Sequence, residues 1–123
     1  MKTIETKKAP AAVGPYSQAV LVKDTLYVSG QIPFVPETMT LVSNDIKEQT
    51  KQSLNNILNI VEAAGLKKEN IVRCTVFMTN LGDFGLMNQV YQDFFGNHKP
   101  ARAAVEVRRL PKDVQVEIDA IAV

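Results

Sequence analysis

The sequence is poor in the residues that build metal, disulfide and imidazole chemistry: it holds one cysteine, Cys74, and one histidine, His98. A lone cysteine closes no disulfide within the chain, which fits a reducing compartment. One Cys and one His cannot furnish a tetrahedral zinc site of the N/S type, so no metal is expected. A histidine-dependent triad would have to rest on His98 alone. Long apolar runs are also missing. The first residues, Met1 to Lys8, lack the apolar stretch of about 7–15 residues found in a signal peptide. Nowhere do roughly 18 apolar residues follow one another, so no membrane-spanning helix is expected. The expectation is a soluble, cytoplasmic protein. Charge of one sign is lacking too. Fourteen Lys and Arg against 13 Asp and Glu leave a formal charge of +1, with no broad field to draw the chain onto nucleic acid or anionic lipid. There is no internal repeat and no low-complexity tract.

What is present is the material of one compact domain, residues 1–123. Hydrophobic residues make up 46% and charged residues 22%, ordinary globular values. Turn signals cut the chain into short elements. A strand is expected around 3–7, then a loop from Ala9 to Pro15 with two prolines and a glycine. Residues 17–22 and 25–29 read as strands joined at Lys23-Asp24. The segment Gln31 to Ser43 reads as irregular. Residues 45–64 give a helix, because Ile46, Thr50, Leu54, Ile57, Leu58, Val61 and Ala64 recur at helical spacing. Asp45 with Glu48 resembles a capping pair, and Gly65 stands at the stop. Residues 71–79 alternate as a strand, with Val72, Cys74, Val76 and Met78 on one face. A second helix is expected from Asp83, as N-cap, to Phe95, with Gly96 after it.

Strands at 101–107 and 114–122 close the chain. Each has one apolar face and one face bearing charge, the latter carrying Arg102, Ala104 and Glu106 on the first and Glu117 and Asp119 on the second. The order predicts an α+β domain, with two helices on one side of a mixed sheet. Two helices cover only one face. The other, expected to display Arg102, Glu106 and Glu117, is a candidate surface for oligomerisation.

Several residues are candidates for chemistry. Arg102 presents a planar fork that matches a carboxylate, and its neighbours Ala101, Ala103 and Ala104 leave room for a ligand. Composition and spacing alone favour a plainer reading, a structural ion pair with Glu106, Glu117 or Asp119. Glu117, between Val116 and Ile118, is a carboxyl group in partly apolar surroundings that would trade protons near neutral pH, or else a salt-bridge partner. If the last two strands paired as a hairpin about Pro111-Lys112, Glu117 would stand about 13 Å along the strand from Arg102, too far for one small substrate. Tyr16 follows a rigid Gly14-Pro15 turn, and Ser29-Gly30-Gln31 ends a strand where backbone amides can approach a ligand. Turn chemistry accounts for both equally well. Asn88 is an amide on the greasy row Phe84-Asn88-Tyr91-Phe95. Cys74 reads as an inert core residue and His98 as a loop histidine.

Together these segments resemble the RidA family, also called YjgF, of reactive-intermediate deaminases. The resemblance runs through Ala9–Ala19, Ser29–Pro33, Val61–Leu66, Val90–Phe95, Lys99–Val107, Leu110–Asp113 and Val116–Ile118. It implies a chorismate-mutase-like fold and a homotrimer with sites in clefts between subunits. It also implies cofactor-free hydrolysis of short-lived enamines and imines, such as 2-aminoacrylate, to 2-keto acids and ammonia. Carried over, Arg102 would hold the substrate carboxylate, and Glu117 would activate water and protonate the leaving ammonia. Tyr16, Ser29 and Asn88 would line the pocket. The N–H of Gly30 and the C=O of Ala104 would complete the hydrogen bonding. Relatives often carry Ser-Cys after the arginine; this chain has Ala103-Ala104, so only the backbone role carries over at position 104. Arg108 stands where many relatives have alanine. Two other readings remain open: a nucleic-acid or ribonuclease module using Arg108, Arg109 and Lys112, and a metabolite sensor that binds another protein.

Overall fold

The computed structural model describes residues 1–123. Its main sheet has six strands: β1 (Lys2–Ile4), β2 (Ala19–Val22), β3 (Thr25–Gln31), β6 (Ile71–Met78), β7 (Ala101–Glu106) and β8 (Val116–Ala122). They lie in the order β1-β2-β3-β8-β6-β7. The segment after β3, expected to be irregular, contains a two-stranded ribbon, β4 (Phe34–Val35) with β5 (Thr40–Leu41). Helices α1 (Ile46–Ala63) and α2 (Phe84–Phe95) pack together on one face of the sheet. The α+β reading and the two-helix layer therefore hold.

Local chemistry explains most boundaries. Lys23 takes a positive φ of 55° in the two-residue connection between β2 and β3. The Asp45 carboxylate accepts from the Glu48 N–H at 2.9 Å and starts α1. At its end Gly65 turns left-handed, φ 83°, and the N–H of Leu66 closes back on the Val61 carbonyl at 3.1 Å. Asp83 does not cap α2: its side chain makes no such bond. The turn before it is held instead by Asn80, whose carboxamide oxygen accepts from Gly82, and by Glu106, which accepts from the Leu81 N–H.

The core lies between the sheet and the helices. Leu54, Ile57, Ile60 and Val61 of α1 and Met87, Tyr91 and Phe95 of α2 meet Leu26, Val28, Cys74, Val76, Met78, Val116, Ile118 and Ala120 from the strands. Strand β6 needs one correction. An irregularity between Ile71 and Arg73 puts Ile71 into the core and leaves Val72 exposed, so the expected Val72 alternation begins only at Cys74.

The strand pairings correct two further expectations. The last two strands are not a hairpin, because β6 lies between β7 and β8. Strands β6 and β7 run parallel through the α2 crossover, with Cys74 opposite Arg102, Val76 opposite Ala104 and Met78 opposite Glu106. Paired residues share a face. Arg102, Ala104 and Glu106 therefore project to the helix side and not to the uncovered side. Glu117 pairs with Phe77 and projects to the uncovered face. That face is mixed: Tyr27, Phe77, Val105 and Ile121 are partly exposed upon it beside Arg73, Thr75 and Asp119.

Candidate active site

The residues singled out from the sequence fall into two separate groups. Tyr16, Ser29, Gly30 and Glu117 line one cavity of about 620 Å³, with Val13, Ile32 and Phe34 among its apolar walls. Asn88 and Arg102 line another of about 390 Å³, with Tyr91, His98 and Lys99. Arg102 pairs with Cys74, and Glu117 with Phe77 three residues further along β6. Two strand spacings and three residues put their Cα atoms about 14 Å apart, on opposite faces of the sheet. One chain cannot bring both to the same small molecule.

The first group is shaped by backbone. Between Val28 and Gln31 the pairing of β3 with β8 is irregular, and Gly30 sits in that stretch directly beside Glu117. A Cβ at position 30 would stand 2.6 Å from Oε2 and 2.9 Å from Cδ of Glu117. The missing side chain is thus the space the carboxyl group occupies. Burial, and secondarily the nearby Asp119 carboxylate, raises the pKa of Glu117 from its ordinary value. Ser29 donates its hydroxyl proton to the Ser17 carbonyl at 2.6 Å, so toward a ligand its oxygen acts as acceptor. Gln18, buried, ties the preceding loop with bonds to Thr6 and Pro10, and Tyr16 stands half-exposed at the loop's end. Sequence reasoning missed Gln18; a buried amide next to a proline-rich loop was the available signal.

Side chains shape the second group. Arg102 Nη1 donates to Asn88 Oδ1 at 2.7 Å. The guanidinium carbon lies 4.7 Å from the Tyr91 ring centre and 5.4 Å from that of Phe84. None of the expected ion pairs forms: the one salt bridge of the chain joins Arg109 to Asp113. Cys74 is fully buried, as expected, and desolvation pushes its thiol up to about 11. The Tyr91 phenol is raised as well, first by burial and then by Cys74. Both groups are neutral at physiological pH. Arg102 is therefore a half-buried cation beside neutral Cys74 and Tyr91 and with no acidic partner, its remaining N–H groups available to an anion. The ring of His98 is engaged: its Nε2 meets the Ile71 carbonyl at 2.6 Å and it packs edge-on to Phe95. At the edge of the sheet, the Val107 N–H bonds inward to the Met78 carbonyl. Alternation along β7 then turns the N–H and C=O of Ala104 outward, to the unpaired side.

Arg102 is thus a half-buried cation with no acidic partner, on the helix side of an α+β domain. The chain belongs to the family described as Endoribonuclease L-PSP, the YjgF/RidA family, whose model matches residues 6–123. It is 53% identical to the 2-iminobutanoate/2-iminopropanoate deaminase of Salmonella typhimurium, over 99% of this chain and 97% of its relative. Over 98% of this chain and 95% of the relative, it is 53% identical to a RutC family protein of Pyrococcus abyssi. The structure of Escherichia coli TdcF with bound serine superposes with a TM-score of 0.96 at 48% identity, covering all of this chain and 98% of the other. Relatives at about 50% identity are thus named as deaminases.

Proposed function

We propose that this protein hydrolyses reactive 2-imino acids and their enamine tautomers, of the 2-aminoacrylate kind, to 2-keto acids and ammonia. We place the reaction in clefts between the subunits of a homotrimer. The observation that carries this reading is the unpaired Arg102 fork, on the opposite sheet face from a carboxyl group of raised pKa. Each is half of what the reaction needs. A second copy of the chain brings the Arg102 edge of one subunit to the Glu117 cavity of another, and the sheet face left open by the helices, with Tyr27, Phe77, Val105 and Ile121 exposed on it, supplies a surface for that assembly.

In this arrangement Arg102 holds the substrate carboxylate in two parallel hydrogen bonds, which fixes C2 in the cleft. Ser29 Oγ, its own proton given to Ser17, accepts from the N–H of the iminium. Glu117 takes a proton from water as the water oxygen bonds to C2 and the C=N π pair moves to nitrogen. The carbinolamine then collapses: Glu117 passes its proton to nitrogen, the C–N bond breaks, and the hydroxyl oxygen forms the ketone as its proton passes to the departing ammonia. Water and iminium yield keto acid and ammonium, with no electron acceptor and no cofactor. The Tyr16 hydroxyl and the outward C=O of Ala104 complete the lining. A pyridoxal-phosphate-dependent dehydratase supplied with threonine or serine generates the substrate in place. Adding this protein is expected to speed keto-acid release. No acceleration, or equal acceleration by Arg102→Ala, refutes the reading.

The family's description favours a second reading, ribonuclease activity. Its one basic cluster is weakened here, since Arg109 is bonded to Asp113 at 2.7 Å. RNA binding by the pure protein that falls steeply with salt would favour it.

A further inference from the structure

Arg102 is held in a way that the reaction itself does not account for. A carboxylate needs only the guanidinium fork. Here the fork is set by three side chains, all from α2. Asn88 takes one N–H at 2.7 Å. Tyr91 and Phe84, from the same helix, lie against the guanidinium with ring centres 4.7 and 5.4 Å from its carbon. Phe84, Asn88 and Tyr91 recur at spacings of four and three residues, so one helical row presents ring, amide and ring to β7. The buried Tyr91 hydroxyl meets the Cys74 thiol and has no nitrogen or oxygen partner. Phenylalanine would keep the ring and give up only that contact with Cys74. What tyrosine and phenylalanine share, and leucine lacks, is the electron-rich ring face.

We infer that Tyr91 and Phe84 are positioning residues, a pair of aromatic faces that hold the Arg102 guanidinium in the orientation that receives the carboxylate. A free arginine side chain carries four rotatable bonds and loses that freedom on gripping a ligand. Arg102 has lost it in advance, because ring faces attract the cation and Asn88 fixes its rotation about its own plane. The lack of an acidic partner matters equally. An acidic side chain would hold the guanidinium too, but would compete with the ligand. Aromatic rings orient the cation and leave its charge unspent. The clamp rests on the reading of Arg102 as the carboxylate site.

The test is a double-mutant cycle on the full-length protein, read as the Kd for 2-oxobutanoate by calorimetry, with the arginine N–H signals followed by NMR. Tyr91→Phe is expected to bind within about twofold of the native chain. Tyr91→Leu should bind about tenfold more weakly, an effect of the size that ring–cation contacts carry in partly desolvated sites. On an Arg102→Met background, which removes the cation that the rings hold, Tyr91→Leu should change Kd by less than about twofold. Phe84→Leu, at a less buried position, should repeat the pattern with a smaller amplitude. In the native protein the Arg102 side-chain protons should be shifted upfield by the rings, and Tyr91→Leu should remove part of that shift. A folded Tyr91→Leu protein that binds like the native one overturns the inference. So does an equal loss on both backgrounds, which marks a general packing defect. If the native protein does not bind 2-oxobutanoate at all, the proposed function is what fails. The NMR signal then decides the clamp, and Arg102 protons unmoved by Tyr91→Leu overturn it.

Discussion

The two halves of the candidate site are built by opposite means. Around Glu117 the backbone does the shaping: an irregular strand pairing, a glycine whose absent side chain is the carboxyl's room, and a loop tied down by Gln18. Around Arg102, side chains do it: an amide and two aromatic faces from a single helical row. The electrostatics differ in the same sense. Glu117 sits where ionisation is disfavoured, and Arg102 where a permanent charge has no counter-ion. A group that must trade protons has its pKa raised by burial, while a group that must grip keeps its charge unpaired. The sheet keeps them on opposite faces, so the charge that would quench each is out of reach.

The sharpest way to break this comparison is at Glu117. Glu117→Gln is expected to lower kcat by about 10²–10⁴, the range of a lost general acid–base group. It should not lower stability at neutral pH. A carboxyl whose folded pKa is raised favours its protonated form in the fold, so its contribution to stability falls as pH rises from the unfolded value through the raised one. Glutamine removes that loss. Denaturant unfolding at neutral pH and at pH 4 checks it. A marked destabilisation of the glutamine variant at neutral pH would mean that the carboxylate is structurally paired. The same raised pKa moves the acid limb of the native pH–rate profile upward from that of an exposed glutamate, and Glu117→Gln should abolish that limb. An acid limb at pH 4 or below would contradict this.

Arg102→Ala should cost about 2–5 kcal/mol in kcat/KM, the loss expected when a charged hydrogen-bond partner of a carboxylate is truncated. Its melting temperature should stay near the native value, since no ion pair is broken. A large drop in thermal stability would return Arg102 to the structural role that spacing alone suggests. Gly30→Ala probes the backbone-built half. The added methyl can be accommodated only by moving the end of the Glu117 side chain. Activity should fall by up to about 10²-fold, as for a catalytic group displaced by about 1 Å, with the fold retained. Native-like kcat in Gly30→Ala would dissociate the glycine from the carboxyl. The smallest effect is expected at Asp83, which forms no cap: Asp83→Ala should change stability by no more than about 0.5 kcal/mol, whereas Asp45→Ala should cost about 1 kcal/mol. Equal losses at the two positions would contradict this difference.

Both helices were legible in the sequence because a period of 3.6 and a glycine stop are local signals, and Gly65 and Gly96 mark them. Alternation likewise separated Arg102 from Ala101 and Ala103. It could not say which of those faces meets the helices, because that depends on pairing with β6, nearly thirty residues earlier in the chain. The more apolar set, Ala101, Ala103 and Val105, looks like the core side, yet it faces away from the helices; on an edge strand, Arg102 can be accommodated on the helix side by α2. The intervening position of β6 is a crossover property that no window of residues contains. The conclusion from the supposed hairpin, that Arg102 and Glu117 cannot share a ligand within one chain, nevertheless stands on different geometry.

The central claim is that each site takes Glu117 from one copy and Arg102 from another. Mixing the two variants Glu117→Gln and Arg102→Ala, each nearly inactive alone, under conditions of subunit exchange tests it directly. In a randomly mixed cyclic assembly about a quarter of the clefts combine an intact Glu117 with an intact Arg102. The account predicts recovery of keto-acid release to about a quarter of the native rate, appearing with the time course of exchange. Mixed assemblies verified by mass that stay as inactive as their parents would contradict it.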